Sequence, residues 1–375
     1  MSDGSRPDGN PAPRPRSPQG ILTRVSAEDR DPIERPALAP HLDFHCVDER
    51  QTLLVSESFN TLLRGPIYRD LLPLLDGRPQ DDIATALDGA HSAAGIRTAL
   101  AALASRGYAV SGEHSMDRGR AAYWSALGAS PRWAERRLAA AKVAVDGDDG
   151  HLARRLGVMG VATDRADPTL SAVVCADYLD ERCDAINRRH IESGLPWVPV
   201  RPRGLQPLFG PVFRPAEQGA CWACLAYRLR SHREVHNFLR NLAGDEAAFR
   251  AGAVEPAVLD AVYGLVAAEI AKWLVLGDAA PLHAQAISLD VGRLGTHHHP
   301  VMRRPQCFAC GDAALYRADR PPVPIRLRQS PTSVGNSGGV RSVSPEETLA
   351  RYRHLVSPVS GVVTWVARTT EEADS

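Results

Sequence analysis

The sequence lacks an excess of charge of either sign. Lys+Arg and Asp+Glu cancel at 44 each in 375 residues, so no global field draws the chain to nucleic acid or to an anionic membrane surface. It is poor in lysine: apart from Lys142 and Lys272 its basic residues are arginines, read here as composition bias rather than function. No N-terminal apolar core follows Met1, so the start is not a secretory signal. No long hydrophobic run is present either. The most apolar stretch, Val254 to Leu276, is broken by Asp260, Glu269 and Lys272 and reads as a buried helix rather than a bilayer span. Seven cysteines without an export signal belong to a reducing compartment, where paired cysteines point to metal rather than disulfide. A cytoplasmic protein without nucleic-acid or membrane partners is expected.

What is present divides the chain into five segments. Residues 1–40 are rich in Pro, Ser, Arg and Asp and are expected to be disordered, because they bury too little to offset ordering. Residues 41–112 read as a winged-helix-like unit. The strand-like runs His41–Asp48, Thr52–Ser58 and Phe59–Arg64 precede three short helices carrying Tyr68/Leu71/Leu72/Leu75, Ile83/Ala84/Leu87 and Ile96/Leu100/Leu103, each ended by a glycine. Tyr108–Val110 returns as a strand. A DNA-reading third helix would carry several basic residues for phosphates; between Ser92 and Ser105 only Arg97 does, which favours a peptide ligand over DNA. Residues 113–134 form a connector with Tyr123-Trp124.

Residues 135–320 show a strand–helix cadence: strands at Ala141–Val145, Gly157–Thr163, Ser171–Ala176 and Trp197–Val200, with helices from His151 and over Glu181–Glu192. This predicts an α/β domain with a doubly wound, mainly parallel sheet. Ser231–Asp278 reads as mostly helical, Leu282–Leu294 as a strand-like return and His297-His298-His299 as an exposed loop. The arginines from Arg201 to Arg240 outnumber their acids and read as a solvated surface. Residues 321–375 open with a Pro/Ser/Gly linker.

Cys221-x-x-Cys224 and Cys307-x-x-Cys310 carry the sharpest chemistry. Each CxxC turns two thiolates toward one ion, and two such knuckles close a tetrahedral zinc site. With no open position for water the site is structural, not catalytic. The alternative is a redox dithiol. Trp222, Phe308 and Gly311 suit the knuckles as apolar cover and as a free turn. Cys46, Cys175 and Cys183 lack partners and read as small core residues.

A phosphate-cradling first turn needs glycines at a helix N-terminus. Here it reads Asp146-Gly147-Asp148-Asp149-Gly150. Three carboxylates there repel a triphosphate unless a metal screens them; they are expected to cap the helix, the alternative being a hard cation such as Mg²⁺ held among them, and ATP is not expected in this chain.

Val173-Val174-Cys175-Ala176-Asp177, the helix with Asn187-Arg188, Val198-Pro199-Val200 and the two cysteine knuckles resemble the ThiF/MoeB family of adenylating enzymes. In that resemblance Asp177 falls at a magnesium-ligating aspartate, while the glycine loop departs from the family pattern. Adding the N-terminal wing and the tail from Arg341-Ser342-Val343-Ser344-Pro345-Glu346-Glu347-Thr348 through His354-Leu355-Val356 to Ser357–Val363, the chain resembles the leader-peptide-binding subunit of thiazole/oxazole-modified microcin cyclodehydratases. There the wing is a PqqD-like recognition element for the leader of a ribosomal precursor peptide, and the tail is similar to the opening of a YcaO domain.

The resemblance implies a binding and activating subunit, without catalytic residues of its own, that presents a precursor leader to a YcaO cyclodehydratase making azolines from Cys, Ser and Thr. The leader adds as a strand beside Phe59, Thr61, Leu62, Leu63 and Arg64, with Arg97, Leu100, Ala101 and Ala104 of the third helix as the other wall. The segment after Arg341 is too short for a catalytic domain, so the chemistry is expected in a separate chain or in a further part of a larger one. The resemblance leaves room for a homodimer. The competing readings are a ThiF/MoeB-like adenylating enzyme and a winged-helix DNA-binding regulator.

Overall fold

The computed structural model describes residues 33–148, 150–180, 182–217, 219–233, 235, 238, 253, 255–312, 334–336 and 339–341. Asp149, Arg240 and the YcaO-like tail from Ser342 onward lie outside them. A short antiparallel pair joins 334–336 to 339–341. The chain divides into two compact units, one of residues 33–140 with 274–279, the other of residues from 141 onward without 274–279.

In the first unit, strands β2 (Asp43–Cys46), β3 (Gln51–Val55) and β4 (Asn60–Arg64) form a three-stranded antiparallel sheet in that order. Helices α1 (Pro66–Leu71), α2 (Gln80–Ala86) and α3 (Ala93–Ser105) follow. Ser92 caps α3, its hydroxyl accepting from Gly95 N–H at 3.1 Å. The expected helix faces converge: Leu71, Leu72, Leu75, Ile83, Leu87, Ile96, Leu100 and Leu103 share one buried cluster with Leu54 and Leu63. Each such side chain contributes roughly 1.5–3 kcal/mol relative to exposure.

Two expectations change here. Residues 36–38 are ordered as β1 (Pro36–Leu38) and pair antiparallel with β5 (Ala109–Ser111), so the start of the unit lies before residue 41. Composition hides this, because a three-residue strand carries no periodicity and its partner is distant in sequence. Cys46 is exposed, at the end of β2, and is not a core residue. Beyond β5, α4 (Arg118–Ala126) and α5 (Pro131–Ala140) complete the unit, with Trp124 buried.

In the second unit, β6 (Val143–Asp146), β7 (Leu170–Val174) and β8 (Trp197–Arg201) are parallel neighbours. Helices α6 (His151–Val158) and α7 (Arg182–Ser193) lie between them in sequence. Strands β9 (Leu208–Phe209), β10 (Gln285–Asp290) and β11 (Gly295–Pro300) extend the sheet antiparallel, giving the order β11-β10-β9-β8-β7-β6. The parallel region is therefore half of a mixed sheet. Helices α8 (Trp222–Ser231) and α9 (Pro256–Leu276) lie between β9 and β10 in sequence. No helix among the described residues is long and apolar enough to cross a membrane.

The strand expected at Gly157–Thr163 does not form. Gly157 and Val158 continue α6, Gly160 ends the turn at φ +83°, and only a single parallel bridge, Lys142 to Ala162, remains. His297–His299, expected in a loop, form the middle of β11. Polar side chains at an outer strand leave no apolar alternation to read.

Candidate metal centre, capped first turn and open sheet edge

The two cysteine knuckles, distant in sequence, meet in the second unit. The Sγ atoms of Cys221, Cys224, Cys307 and Cys310 all lie within 4.8 Å of one another. Sγ–Sγ separations are 4.0 Å for Cys221–Cys224, 3.6 Å for Cys221–Cys307 and 3.5 Å for Cys224–Cys310. A tetrahedral ion with metal–sulfur bonds near 2.3 Å sets its ligands about 3.8 Å apart, so the cluster fits one.

Local structure explains the convergence. Cys221 is the N-cap of α8 and Cys224 lies in its first turn. The second knuckle closes through Gly311 N–H to Cys307 O at 2.7 Å. A Cβ on Gly311 would fall 2.4 Å from Pro305 O and 2.5 Å from Cys307 N, so this position admits glycine alone. The Arg304 N–H donates to Cys224 Sγ at 3.3 Å. Hydrogen bonds from Cys221, from Cys310 and from that amide hold the Cys224 thiol well below the usual range. The apolar cover divides. Trp222 is 1% exposed, its indole donating to Tyr178 O at 2.7 Å and its amide to Asn187 Oδ1 at 3.1 Å. Phe308 is 78% exposed and covers nothing among the described residues.

The turn after β6 is built as a helix cap. Asp148 Oδ2 accepts from Leu152 N–H at 2.8 Å, and Asp146 pairs with Arg165 at 2.8 Å. Gly147, at φ +75°, passes so close to β7 that a Cβ would lie 2.3 Å from Val174 O. Its glycine serves the crossing of loop over strand. Gly150, at φ +85°, is the N-cap of α6. Asp177 is held by protein cations: Arg233 Nη1 lies 2.8 Å from both carboxylate oxygens and Arg201 Nη1 3.7 Å from one. The basic excess after Arg201 is thereby largely committed inside the unit: Arg214 pairs with Glu217, Arg228 donates to Met302 O at 2.7 Å and Arg230 lies over Trp222.

On the first unit, β4 is an outer strand. Ser56 N–H donates to Phe59 O at 3.0 Å and Gly65 N–H to Arg50 O at 2.7 Å. Alternation along an antiparallel pair then makes Phe59, Thr61 and Leu63 the residues bonded to β3. The backbone groups of Asn60, Leu62 and Arg64 point away from the sheet. Sequence reasoning misses Asn60, because only the turn register reveals this parity. Leu62 is 39% exposed and Leu63 3%. Phe59 stacks on Tyr108 at 6.0 Å and is half-buried. On α3, Leu100 faces the core, Ala104 is half-buried, and Arg97 and Ala101 are exposed, as is Arg64.

The first unit thus has an open sheet edge, and the second is an α/β unit whose knuckles close a four-thiol cluster. Comparison with known proteins adds to this. Residues 37–111 match the model of a winged helix-turn-helix domain. A heterocyclase solved in complex with substrate and cofactor is 31% identical at a TM-score of 0.76, covering 91% of this chain and 47% of that one. The heterocyclase TruD is 29% identical at 0.73, covering 88% and 48%. E. coli MccB, solved with ATP, shares the fold at 13% identity and a TM-score of 0.54, over 74% of this chain and 99% of its own. No curated protein matches the chain by sequence. The resemblance to heterocyclases, with a winged helix at the N-terminal end of the described chain, is borne out. The chain spans about half the length of the two heterocyclases.

Proposed function

We propose that this chain binds the leader of a ribosomal precursor peptide along β4 and presents the peptide to a YcaO cyclodehydratase that closes azolines from Cys, Ser and Thr. The observation that carries this reading is the open edge of β4, with the backbone groups of Asn60, Leu62 and Arg64 directed outward on a chain similar in sequence and fold to heterocyclases. An extended leader adds there as a further strand. Main-chain bonds supply affinity, and side chains along β4 and the exposed face of α3 supply selection. Holding the leader raises the effective concentration of the attached core peptide at the partner's active site.

Cys221, Cys224, Cys307 and Cys310 hold a structural zinc, whose contribution when bound is to tie the start of α8 to the segment after β11. The recognition unit is residues 41–112 with β1 added, and the scaffold is 135–320. The protein works in the cytoplasm. ATP belongs to the partner's site: Asp177 is occupied by guanidinium and Asp148 by the helix it caps, which speaks against adenylation in this chain. Arg97 as the one basic residue of α3 speaks against DNA binding.

The test is fluorescence polarisation with a labelled leader from a precursor encoded beside this gene, against a scrambled control. Saturable binding of the leader alone is expected. Equal affinity for both peptides by folded, metal-loaded protein removes the recognition role and makes ATP titration the next measurement.

A further inference from the structure

The four-cysteine cluster has an outer surface that the scaffold does not use. Tyr227 stands one helical turn beyond Cys224, Met302 shortly before Cys307 and Phe308 directly after it. The four Sγ atoms lie within 4.8 Å of one another, so these side chains surround one small centre. All three are large, and all three are turned outward: Tyr227 is 54% exposed, Met302 56% and Phe308 78%. Single exposed apolar side chains are ordinary, but several gathered around one rigid centre mark an interaction surface.

The same surface is cationic. Segments 222–232 and 301–311 contain Arg228, Arg230, Arg303 and Arg304 and no Asp or Glu. Arg228 Nη1 donates to Met302 O at 2.7 Å, Arg303 donates to Cys310 O, and the Arg304 guanidinium lies 3.3 Å from the Tyr227 ring centroid. These contacts go to carbonyl oxygens and a ring, which fix a guanidinium without cancelling its charge. A divalent ion on four thiolates leaves a net negative charge of about two, so four guanidiniums keep the surface positive when the site is loaded.

We infer that this face docks an acidic segment of a protein partner that carries apolar side chains between its carboxylates. Carboxylates meet the planar edges of Arg303 and Arg304, and an aliphatic or aromatic side chain covers Phe308 and Met302, the latter flexible enough to adapt to it. Arginine and aromatic anchors of this kind dominate the energetics of protein interfaces. A nucleic acid fits less well. The Tyr227 ring is already faced by Arg304 and cannot stack a base, and a phosphate backbone leaves Met302 and Phe308 uncovered. The chain has no net positive charge to draw a polyanion or an anionic membrane from a distance. The inference rests on the cluster face alone and is independent of leader binding at β4.

Fluorescence polarisation on the full, metal-loaded chain tests it. The probe is a labelled peptide alternating Glu-Glu with Leu-Phe, and the control carries Lys for every Glu. Saturable binding of the acidic peptide alone is expected. Phe308→Ser and Arg303→Glu are each expected to weaken it by at least about tenfold, with metal content unchanged. Should Arg303→Glu lose metal, Phe308→Ser decides, because that side chain supports nothing else in the unit. Equal binding of both peptides, wild-type affinity in a metal-loaded variant, or tighter binding of single-stranded RNA or of phosphatidylserine vesicles than of the acidic peptide overturns the proposal. Leader affinity is expected to be unchanged in both variants, which separates failure of this inference from failure of the recognition reading.

Discussion

Arg233 Nη1 sits 2.8 Å from both oxygens of Asp177, so a guanidinium from beyond the end of α8 occupies the carboxylate that follows β7. Among the described residues neither has another ion-pair partner at that distance; Arg201 stands further off at 3.7 Å. The pair links two segments of the second unit and engages both oxygens of Asp177. Arg233→Ala is expected to destabilise that unit by about 1–3 kcal/mol, read by urea unfolding. Asp177→Asn is expected to do the same, and neither variant is expected to gain ATP turnover. A stable Arg233→Ala that binds Mg-ATP would show that the ion pair masks a working site.

Cys221→Ser and Cys307→Ser are expected to unfold the second unit rather than leave a folded, metal-free protein, because the binding energy of a structural ion is folding energy. Circular dichroism together with metal analysis reads both. A zinc stoichiometry near one per chain in the wild type, lost in either variant with native-like spectra intact, would contradict the structural role.

Gly311→Ala drives a Cβ to within 2.5 Å of backbone atoms of Pro305 and Cys307. Backbone cannot yield as a flexible side chain does, so the second knuckle is expected to open. The expected readout is weaker metal retention against a chelator and a loss of roughly 1–3 kcal/mol. Gly157→Ala, whose added Cβ meets nothing within 4 Å, is the control and should be neutral.

Leu62→Pro and Leu63→Pro separate strand addition from simple folding. Leu62 directs its N–H outward, so proline there removes a donor to the leader and leaves the β3–β4 ladder in place. Leu63 is bonded to β3 and buried, so proline there breaks the hairpin. Leader affinity is expected to collapse in Leu62→Pro with native circular dichroism, whereas Leu63→Pro loses structure first. Wild-type affinity in Leu62→Pro would remove β4 as the docking edge.

Burial, and then the neighbouring His297 and His298, push the His299 imidazole down to about 4, against roughly 6.5 in an unfolded chain. Between these values the unfolded state binds the extra proton, so stability falls as pH drops through that window and is fully present above it. Urea midpoints of the wild type and of His299→Gln, measured from pH 7 to pH 4.5, are expected to converge toward the acid end. Parallel curves would remove His299 as the source.

The winged unit and the four clustered cysteines are legible because their signals are local. Ile96, Leu100 and Leu103 recur at helical spacing and all reach the core. A CxxC imposes its own turn, so Cys221/Cys224 and Cys307/Cys310 point to one shared cluster across a long separation, and their thiols do converge. The capping role of Asp148 was equally local, an acid four residues before the amide of Leu152 that it accepts from.

Other features depended on pairing at a distance. Nothing in Pro36–Leu38 marks a strand until Ala109–Ser111 lies beside it. Gly157–Thr163 has the apolar content of a strand, but α6 claims its first residues and a single bridge claims the rest.

The helix faces, the capped and closed first turn of the α/β unit and the four thiols of the cluster can all be read from the chain alone, since each follows from side chains within a few residues of one another. Which edges stay open is a property of the folded molecule. Whether Asn60, Leu62 and Arg64 offer their backbone groups outward depends on strand register and neighbour order, and those are set by hydrogen bonds between segments that the sequence does not place side by side.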